Sequence, residues 1–237
     1  MTGGPSPLQQ RPATRLPRLW SAQGVFTGRD DGDMGHGGVY VHAVNPDVEQ
    51  RRRAVVDLPW TWLRQVHGDR VIRVLGPGDG AGEVADAAVC ATPGCAIAVL
   101  TADCAPVVLD SPEGVFAVAH AGWVGLTAGV LERCVEEMRA MGATDVRAAL
   151  GPCIRSECYE FGPDDLDRVA HRLGDAVRST TSSGAPSLDL AAGVRVALDR
   201  AGVHHLHDLG VCTACSPDHF SWRSRAEQQR QATVVWR

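Results

Sequence analysis

The stretch LTADCAPVVLDSPEGVFAVAHAGWVG, residues 100–125, predicts the centre of the fold. The apolar runs PVVLD and VFAVAH are typical of β-strands. The four residues SPEG between them have proline second and glycine last, which favours a type I turn. The stretch therefore predicts a β-hairpin. A cysteine precedes its first strand and a histidine ends its second, so a thiol and an imidazole reach the same open end.

The pairing of the two strands decides which side chains meet. If Asp110 faces Val115 across the turn, Cys104 lies opposite Ala121 and one residue from His120. Side chains that face each other on antiparallel strands have Cβ atoms about 4.5–5.5 Å apart. Strict alternation would leave Cys104 and His120 on opposite faces of the sheet, so we expect one of them to lie where its strand bends.

Strands and helices are also predicted on both sides of the hairpin. Short apolar or alternating runs predict strands over residues 70–75, 95–101, 146–152, 206–212 and 232–237. Apolar residues at helical spacing, bounded by glycine or proline, predict helices over residues 125–142, 163–173 and 188–202. Because hairpins and helices are mixed along the chain, we expect an α+β fold with mixed sheets.

The chain is expected to form one domain after an N-terminal lead-in. Residues 1–20 hold three arginines, four prolines and no apolar stretch, which predicts a disordered segment that is neither a signal peptide nor a membrane anchor. We expect residues 21–237 to form a single catalytic domain, since the Ser/Thr/Gly-rich segment 178–187 is long enough only for a loop. Without export, we expect a cytoplasmic protein with reduced cysteines.

Charge and composition exclude several partners and mechanisms. The net charge of −5 provides no basic field for nucleic acid or a membrane surface, so we expect neither as a partner. The sequence contains no lysine, which excludes a Schiff base and a lysine general base. We expect small-molecule substrates and a monomer or weak dimer.

The thiol and imidazole at the hairpin end have three common uses. They can bind zinc, form a Cys–His nucleophile pair, or merely pack. His67, in WLRQVHGDRV at the entrance to a strand, is the best additional ligand by position. A site of His67, Cys104 and His120 would have three protein ligands and an open fourth position, which is the catalytic pattern.

Other cysteines and a glycine turn give weaker signals. Cys212 and Cys215 have metal-ligand spacing in CTAC, but no second pair accompanies them, which favours a structural or incidental role. Cys153 and Cys158 lie in a Gly/Pro-flanked loop and indicate the wall of a site. Gly122, in AGWVG, lies just before a predicted helix, where free N–H groups favour an anion.

These segments together resemble a known family. QVHGDRV, ADAAVCATPG, AVLTADCAPVVL, AVAHAGWVGLTAGVLE, GPCIRSECYEFG and the late CT match, in order, the polyphenol oxidase (laccase-domain) family. The same family is also described as purine nucleoside phosphorylases and as peptidoglycan editing factors. The resemblance covers about residues 62–222, and TADC followed by HAGW after QVHG is highly specific.

The resemblance implies a fold, a metal and a reaction. It implies an α/β/β/α layered fold similar to the catalytic domain of cytotoxic necrotizing factor, with one zinc held by His67, Cys104 and His120. The implied reaction is phosphorolysis of adenosine, inosine, guanosine or methylthioadenosine to the base and a pentose 1-phosphate. Adenosine deamination is implied beside it.

The chain departs from the family's pattern where an anion would be held. Val124 stands in place of an arginine, VFTGRDDGDMG keeps Arg29 without continuing directly into the family's His-Gly-Gly, and FSWRSR replaces FSYRR. The remaining candidates for holding phosphate are Arg29, Arg155, Arg223 and Arg225, with Gly122 at the helix start.

Two polar residues have two interpretations each. Asp103 is expected to handle a proton, as Asp86 could, or to cap the turn at TADC. Gln65 is expected to contact substrate or to satisfy backbone groups.

Three rival functions stay open on this sequence. One is a cysteine hydrolase with Cys104 as nucleophile and His120 as base. Another is a zinc-binding protein that has lost the anion site and catalysis. The third is a copper-dependent polyphenol oxidase, because two histidines and one cysteine also suit copper, although one such centre does not readily deliver four electrons to oxygen.

Overall fold

The structure, a computed structural model, describes residues 14–15, 21–35 and 46–237. Thirteen strands and six α-helices are found there. The strands are β1 (Thr14–Arg15), β2 (Gln23–Phe26), β3 (Trp60–Trp62), β4 (Val71–Val74), β5 (Ala87–Cys90), β6 (Ala96–Thr101), β7 (Ala105–Asp110), β8 (Phe116–Ala121), β9 (Arg147–Leu150), β10 (Arg178–Thr180), β11 (Pro186–Leu188), β12 (Leu206–Asp208) and β13 (Gln231–Trp236). The helices are α1 (Pro46–Val55), α2 (Trp123–Ala128), α3 (Val130–Ala140), α4 (Pro163–Leu173), α5 (Leu190–Arg200) and α6 (Trp222–Arg225).

Two mixed sheets carry the fold. The larger has six strands in the order β12-β9-β7-β8-β5-β4, with the β7–β8 hairpin at its centre. The other has the order β1-β2-β13-β6-β3, so the C-terminal strand is inserted between the N-terminal strands and β6. Both sheets contain parallel and antiparallel pairs. The predicted α+β fold with mixed sheets is confirmed.

Three apolar clusters show how the layers stack. One packs the hairpin side chains Val107 and Ala119 against helices α3 to α5. The second lies between the sheets and joins Val108 and Val118 to Ile97 of β6. The third lies on the outer face of the five-stranded sheet, where α1 covers it. The layers are therefore helix, sheet, sheet, helix, while the likeness to the necrotizing factor domain stays a prediction.

The hairpin forms as predicted, but its register is shifted by one residue. Asp110 pairs with Phe116, and Ala105, not Cys104, lies opposite Ala121. The cause is the turn. Gly114 adopts a left-handed φ of 87° and adds one residue to the loop, which is a type I turn followed by a β-bulge.

This register changes which side chains share a face. His120 pairs with Pro106, and Cys104 lies two residues before Pro106. Because side chains alternate along a strand, continuing β7 to Cys104 puts its thiol on the face that carries His120. The predicted conflict between the two faces is thereby removed.

The predicted helix over residues 125–142 is two helices. Gly129 has a φ of 96°, a left-handed conformation that ends α2 and precedes α3. The predicted buried face is confirmed, and it consists of Leu126, Val130, Leu131, Cys134, Val135 and Met138. The predicted loop at 178–187 instead contains most of the β10–β11 hairpin.

The predicted lead-in, residues 1–20, lies outside the described residues except for Thr14–Arg15. Those two residues form β1 and pair with β2. In the part of the chain that the structure describes, no helix has both the length and the apolarity needed to cross a bilayer.

Candidate metal centre

The structure brings His67, Cys104 and His120 together. Their ligand atoms all lie within 4.8 Å of one another, and the Cys104 Sγ is 3.7 Å from the His67 Nε2. The two imidazole rings meet edge to face, with centroids 4.7 Å apart. Two imidazole nitrogens and a thiolate are a donor set that suits zinc and also copper, so these residues fit a metal ion.

The three ligands differ in depth. His120 is buried at the end of β8, Cys104 is half-buried after β6, and His67 is exposed in the loop between β3 and β4. The site is therefore closed on the His120 side and open to solvent on the His67 side.

Asp86 is the anchor of this centre. Its buried carboxylate accepts hydrogen bonds from the backbone N–H groups of Val66, His67 and Gly68, at 2.8–3.1 Å. The Nδ1 of His120 lies 2.8 Å from the same carboxylate, which leaves the Nε2 for the metal. One carboxylate thus positions two of the three ligands. Asp86 was predicted only as a group for proton transfer, although a single acid among the apolar residues of VADAAV indicates a buried group that needs partners.

The absence of a side chain at Gly122 lets the ligands approach each other. A Cβ at this position would lie 2.8 Å from the His67 Cδ2 and 3.2 Å from the Cys104 Sγ. Gly122 has an extended backbone that any residue can adopt, with a φ of −71°. Its role next to the ligands is therefore steric. The predicted anion-holding role at the start of α2 stays a prediction.

Charge coupling prepares the thiol for metal binding. Burial opposes ionisation of the Cys104 thiol, but the imidazoles of His120 and His67 outweigh it and lower its pKa from 9.0 to about 6. Burial likewise opposes the charged form of His120, and the Cys104 thiolate and Asp86 carboxylate raise its pKa to about 9. At neutral pH the cysteine is therefore a thiolate, the form that binds metals, and metal binding displaces the His120 proton.

Asp103 holds the turn that precedes Cys104. Its carboxylate accepts hydrogen bonds of 2.6 Å from the Thr213 hydroxyl and from the Arg223 backbone N–H. Asp103 and His67 both have positive φ values, 105° and 60°, which are costly for residues other than glycine. The contacts of Asp103 favour the turn-stabilising interpretation, and its role in proton transfer stays a prediction.

Gln65 is bound to the neighbouring strand. Its amide donates to the Leu100 carbonyl at 2.7 Å and accepts from the Leu100 N–H at 2.8 Å. These two bonds satisfy backbone groups at the end of β6, as the second interpretation of Gln65 expected. Contact with substrate stays a prediction.

Three of the four candidate arginines are held by carboxylates. Arg29 and Arg225 both pair with Glu227, at 2.8 and 3.0 Å. Arg155 is paired with Asp208 through two hydrogen bonds. Each of these guanidinium groups therefore has a fixed partner that an anion would have to displace.

Arg223 differs from the other three. Its guanidinium donates to the Glu160 carbonyl and lies over the Tyr159 ring, 4.9 Å from the centroid. Within residues 21–35 and 46–237, no ion pair with a carboxylate is found for it. Its backbone is joined to Asp103, next to Cys104. Arg223 therefore differs from the other three candidates in its partners, and its role in holding an anion stays a prediction.

Three exposed apolar side chains are close to site residues in the sequence, and two of them, Val66 and Trp222, were not predicted as site residues. Val66, Val124 and Trp222 are 55%, 40% and 50% exposed, which is unusual for large apolar residues. Val66 precedes His67, Val124 follows Gly122 by two residues, and Trp222 precedes Arg223. Their position next to site residues in the motifs was the available signal.

A second group of metal-ligating side chains lies outside this centre. Glu157, Cys158, Cys212 and Cys215 have their ligand atoms within 4.8 Å of one another. The predicted structural or incidental role of Cys212 and Cys215 did not foresee their meeting with Cys158.

The sequence profile of the family described as multi-copper polyphenol oxidoreductase laccase matches residues 37–237. The chain belongs to this family. Proteins with another name are also similar to this chain. A purine nucleoside phosphorylase of Streptomyces coelicolor is 44% identical over 179 residues, 74% of either chain. A purine nucleoside phosphorylase of Mycobacterium tuberculosis is 40% identical over 192 residues, 78% of this chain and 76% of that one.

Solved structures of similar proteins share the fold of this laccase-like chain. A protein of Neisseria meningitidis has a TM-score of 0.80 and 29% identity, covering 94% of this chain and 98% of that one. YlmD from Geobacillus stearothermophilus has a TM-score of 0.81 and 26% identity, covering 95% and 98%. The resemblance to the laccase-domain family is therefore confirmed.

Proposed function

We propose that this protein is a zinc-dependent purine nucleoside phosphorylase that also deaminates adenosine. The observation that carries the proposal is the meeting of His67, Cys104 and His120, with one ligand exposed, in a chain 40–44% identical to proteins named purine nucleoside phosphorylase. Its substrates are adenosine, inosine, guanosine or methylthioadenosine, together with phosphate.

His67, Cys104 and His120 hold the zinc. When bound, zinc supplies Lewis-acid chemistry that stabilises negative charge on an oxygen of the substrate. Asp86 keeps the His120 ring oriented through Nδ1 and fixes the backbone that carries His67. These contacts keep the ligands in place before substrate arrives, so that little ordering is required on binding.

Phosphorolysis breaks the bond between the sugar C1′ and the base nitrogen and joins C1′ to a phosphate oxygen. The base leaves with a proton. Arg223 holds the phosphate, because its guanidinium is exposed and has a planar set of donors that matches phosphate oxygens. Asp103 acts as a positioning residue, since it binds the Arg223 backbone and the Thr213 hydroxyl.

The purine is expected to contact the exposed apolar side chains beside the ligands. Val66, Val124 and Trp222 offer apolar surface to the flat faces of a base. Val124 removes a cation that the family pattern supplies, so the phosphate depends more strongly on Arg223. Deamination replaces the amino group at purine C6 with oxygen from water and releases ammonia, and it requires no phosphate.

One arrangement favours a second candidate function. Cys104, His120 and Asp86 form a chain of thiol, imidazole and carboxylate, and the pKa of Cys104 is lowered to about 6, as a nucleophilic cysteine requires. A cysteine hydrolase of this kind would keep its activity after chelation and lose it after thiol alkylation. The proposed phosphorylase would lose its activity after either treatment.

The test is to incubate zinc-loaded protein with adenosine, with and without phosphate, and to separate the products. Adenine and ribose 1-phosphate formed only with phosphate would support the phosphorylase, and inosine in both tubes would support the deaminase alone. No product from any purine nucleoside, with zinc confirmed on the protein, would favour a non-catalytic zinc-binding protein. Oxygen consumption with a phenol after copper loading would favour the polyphenol oxidase.

Two variants distinguish loss of the metal centre from a general loss of stability. Cys104→Ser is expected to lose zinc and turnover together, since an alcohol is a poor zinc ligand. Cys134→Ala is the matched control, because Cys134 is buried in α3 among apolar side chains away from the ligands. If Cys104→Ser kept its zinc, the ligand set would be wrong.

A further inference from the structure

Glu157, Cys158, Cys212 and Cys215 form a cluster that shares no residue with the centre at His67. One carboxylate and three sulfurs lie mutually within 4.8 Å, and the sulfurs of Cys158 and Cys215 are 3.2 Å apart. Tetrahedral zinc with sulfur at about 2.3 Å keeps its ligand atoms about 3.8 Å from one another. The cluster therefore has the size of a tetrahedral metal site.

The backbone brings the two halves of the cluster together. Cys153 and Cys212 form a parallel bridge, and the Thr213 N–H donates to the Cys153 carbonyl at 3.1 Å. The Cys212–Cys215 segment then turns back on itself, with the Ser216 N–H donating to the Cys212 carbonyl at 2.9 Å. Two loops more than fifty residues apart in the chain thus present their ligands to a common point.

The spacing of the cysteines along the chain also suits a metal site. Cys212 and Cys215 have the C-x-x-C spacing of zinc knuckles. Their sulfurs and the sulfur of Cys158 are soft donors of the kind that zinc prefers.

We propose that Glu157, Cys158, Cys212 and Cys215 bind a zinc ion of structural type. Four protein ligands leave no open position, so this second ion takes no part in catalysis, in contrast to the three-ligand centre. It joins the loop between β9 and α4 to the loop between β12 and α6.

The second zinc would support the catalytic centre indirectly. Thr213 lies between two of its ligand positions and donates its hydroxyl to Asp103, the residue before Cys104. Loss of the second zinc is therefore expected to loosen Thr213 and the turn that holds Cys104, without removing any ligand of the catalytic metal.

The test is the zinc content of the full chain, loaded with zinc under reducing conditions, freed of loose metal and measured by mass spectrometry. We expect two zinc ions per chain for the natural protein and for Cys134→Ala. We expect one for the double variant Cys212→Ser/Cys215→Ser, and one for Cys104→Ser. The proposal is overturned if the natural protein binds one zinc and Cys104→Ser binds none.

A second measurement applies if the double variant does not fold. Glu157 is exposed, so Glu157→Gln is expected to fold and to release one of its two zinc ions at least tenfold faster to a coloured chelator. Cobalt-loaded Cys104→Ser is expected to show a strong thiolate-to-cobalt absorption band, since three thiolates remain. Absence of that band, or an intact mass showing a Cys158–Cys215 disulfide in the reduced and zinc-loaded protein, would overturn the proposal.

Discussion

Replacing Gly122 with alanine tests whether close packing sets the metal centre. The added Cβ would lie 2.8 Å from the His67 Cδ2, whereas ordinary contacts begin at 3.4 Å, so the ring has to move by about 0.6 Å. Metal–ligand distances tolerate deviations of only about 0.2 Å. The displacement is therefore about three times what a metal ion accepts.

The cost should fall on metal binding more than on folding. Overpacking costs about 1–3 kcal/mol where neighbours cannot move. His67 is exposed, so in the metal-free protein its ring can swing toward solvent and relieve the contact. When metal binds, the ring has to return and the strain is restored. At about 1.4 kcal/mol for each factor of ten, we expect zinc affinity to fall about 10–100-fold.

Gly162→Ala is a closely matched control. Gly162 also precedes a helix with an extended backbone, at a φ of −62°, and no atom lies within 4 Å of a Cβ added there. Zinc affinity is measured by competition with a coloured chelator, and the metal-free melting temperature by circular dichroism. If Gly122→Ala binds zinc as tightly as Gly162→Ala does, the steric reasoning is refuted.

Three further predictions concern the same centre. Asp86→Asn should weaken zinc binding about 10–100-fold by removing the charged partner of the His120 Nδ1, and unchanged affinity in the chelator assay would contradict this role. Arg223→Met should raise the KM for phosphate at least tenfold and leave deamination unchanged, while Arg53→Met, on the exposed side of α1, should alter neither; equal effects of the two would dismiss Arg223 as the phosphate ligand. Alkylation of Cys104 in metal-free protein should reach half its maximal rate near pH 6, because the thiolate is present above the lowered pKa; a midpoint near pH 9 would show that the histidines do not stabilise the thiolate.

Local sequence patterns predicted much of the fold around the hairpin. The alternating and apolar runs predicted strands at β4, β6 and β9, and strands are found there. These strands could be predicted because the local pattern of apolar side chains determines which of their faces are buried. The register was wrong by one residue because SPEG does not reveal the left-handed conformation at Gly114. A glycine at the end of a four-residue turn is compatible with either loop length.

Long-range contacts were harder to predict. The helix break at Gly129 was missed because the apolar spacing continues through it, and spacing does not record one residue's φ. The pairing of Asp86 with His120 depends on β5 lying beside β8, and the meeting of Cys158 with Cys215 depends on a bridge between distant loops. Neither contact can be recognised from the local sequence.

The three metal ligands were predicted together because a family motif names each of them. His67, Cys104 and His120 lie in three separate motifs, QVHG, TADC and HAGW, and spacing alone left the trio as one of several alternatives. Their geometric meeting follows from the corrected register, which directs Cys104 and His120 to one face. Val66 and Trp222 are not metal ligands, so the chemistry of the motifs gave no reason to select them, and Val124 was selected only as the residue that replaces an arginine.

The three ligands differ in burial, and this difference predicts the order in which they would release a bound ion. We expect a competing chelator to approach a bound ion from the exposed side, so that His67 would release the ion before Cys104 and His120 do. We expect the motion that limits release to be a movement of the short loop that Asp86 holds through three backbone N–H groups. The residence time of the ion on the protein would then not depend on global unfolding. Mild denaturant that leaves this loop intact should therefore not speed up exchange of the ion.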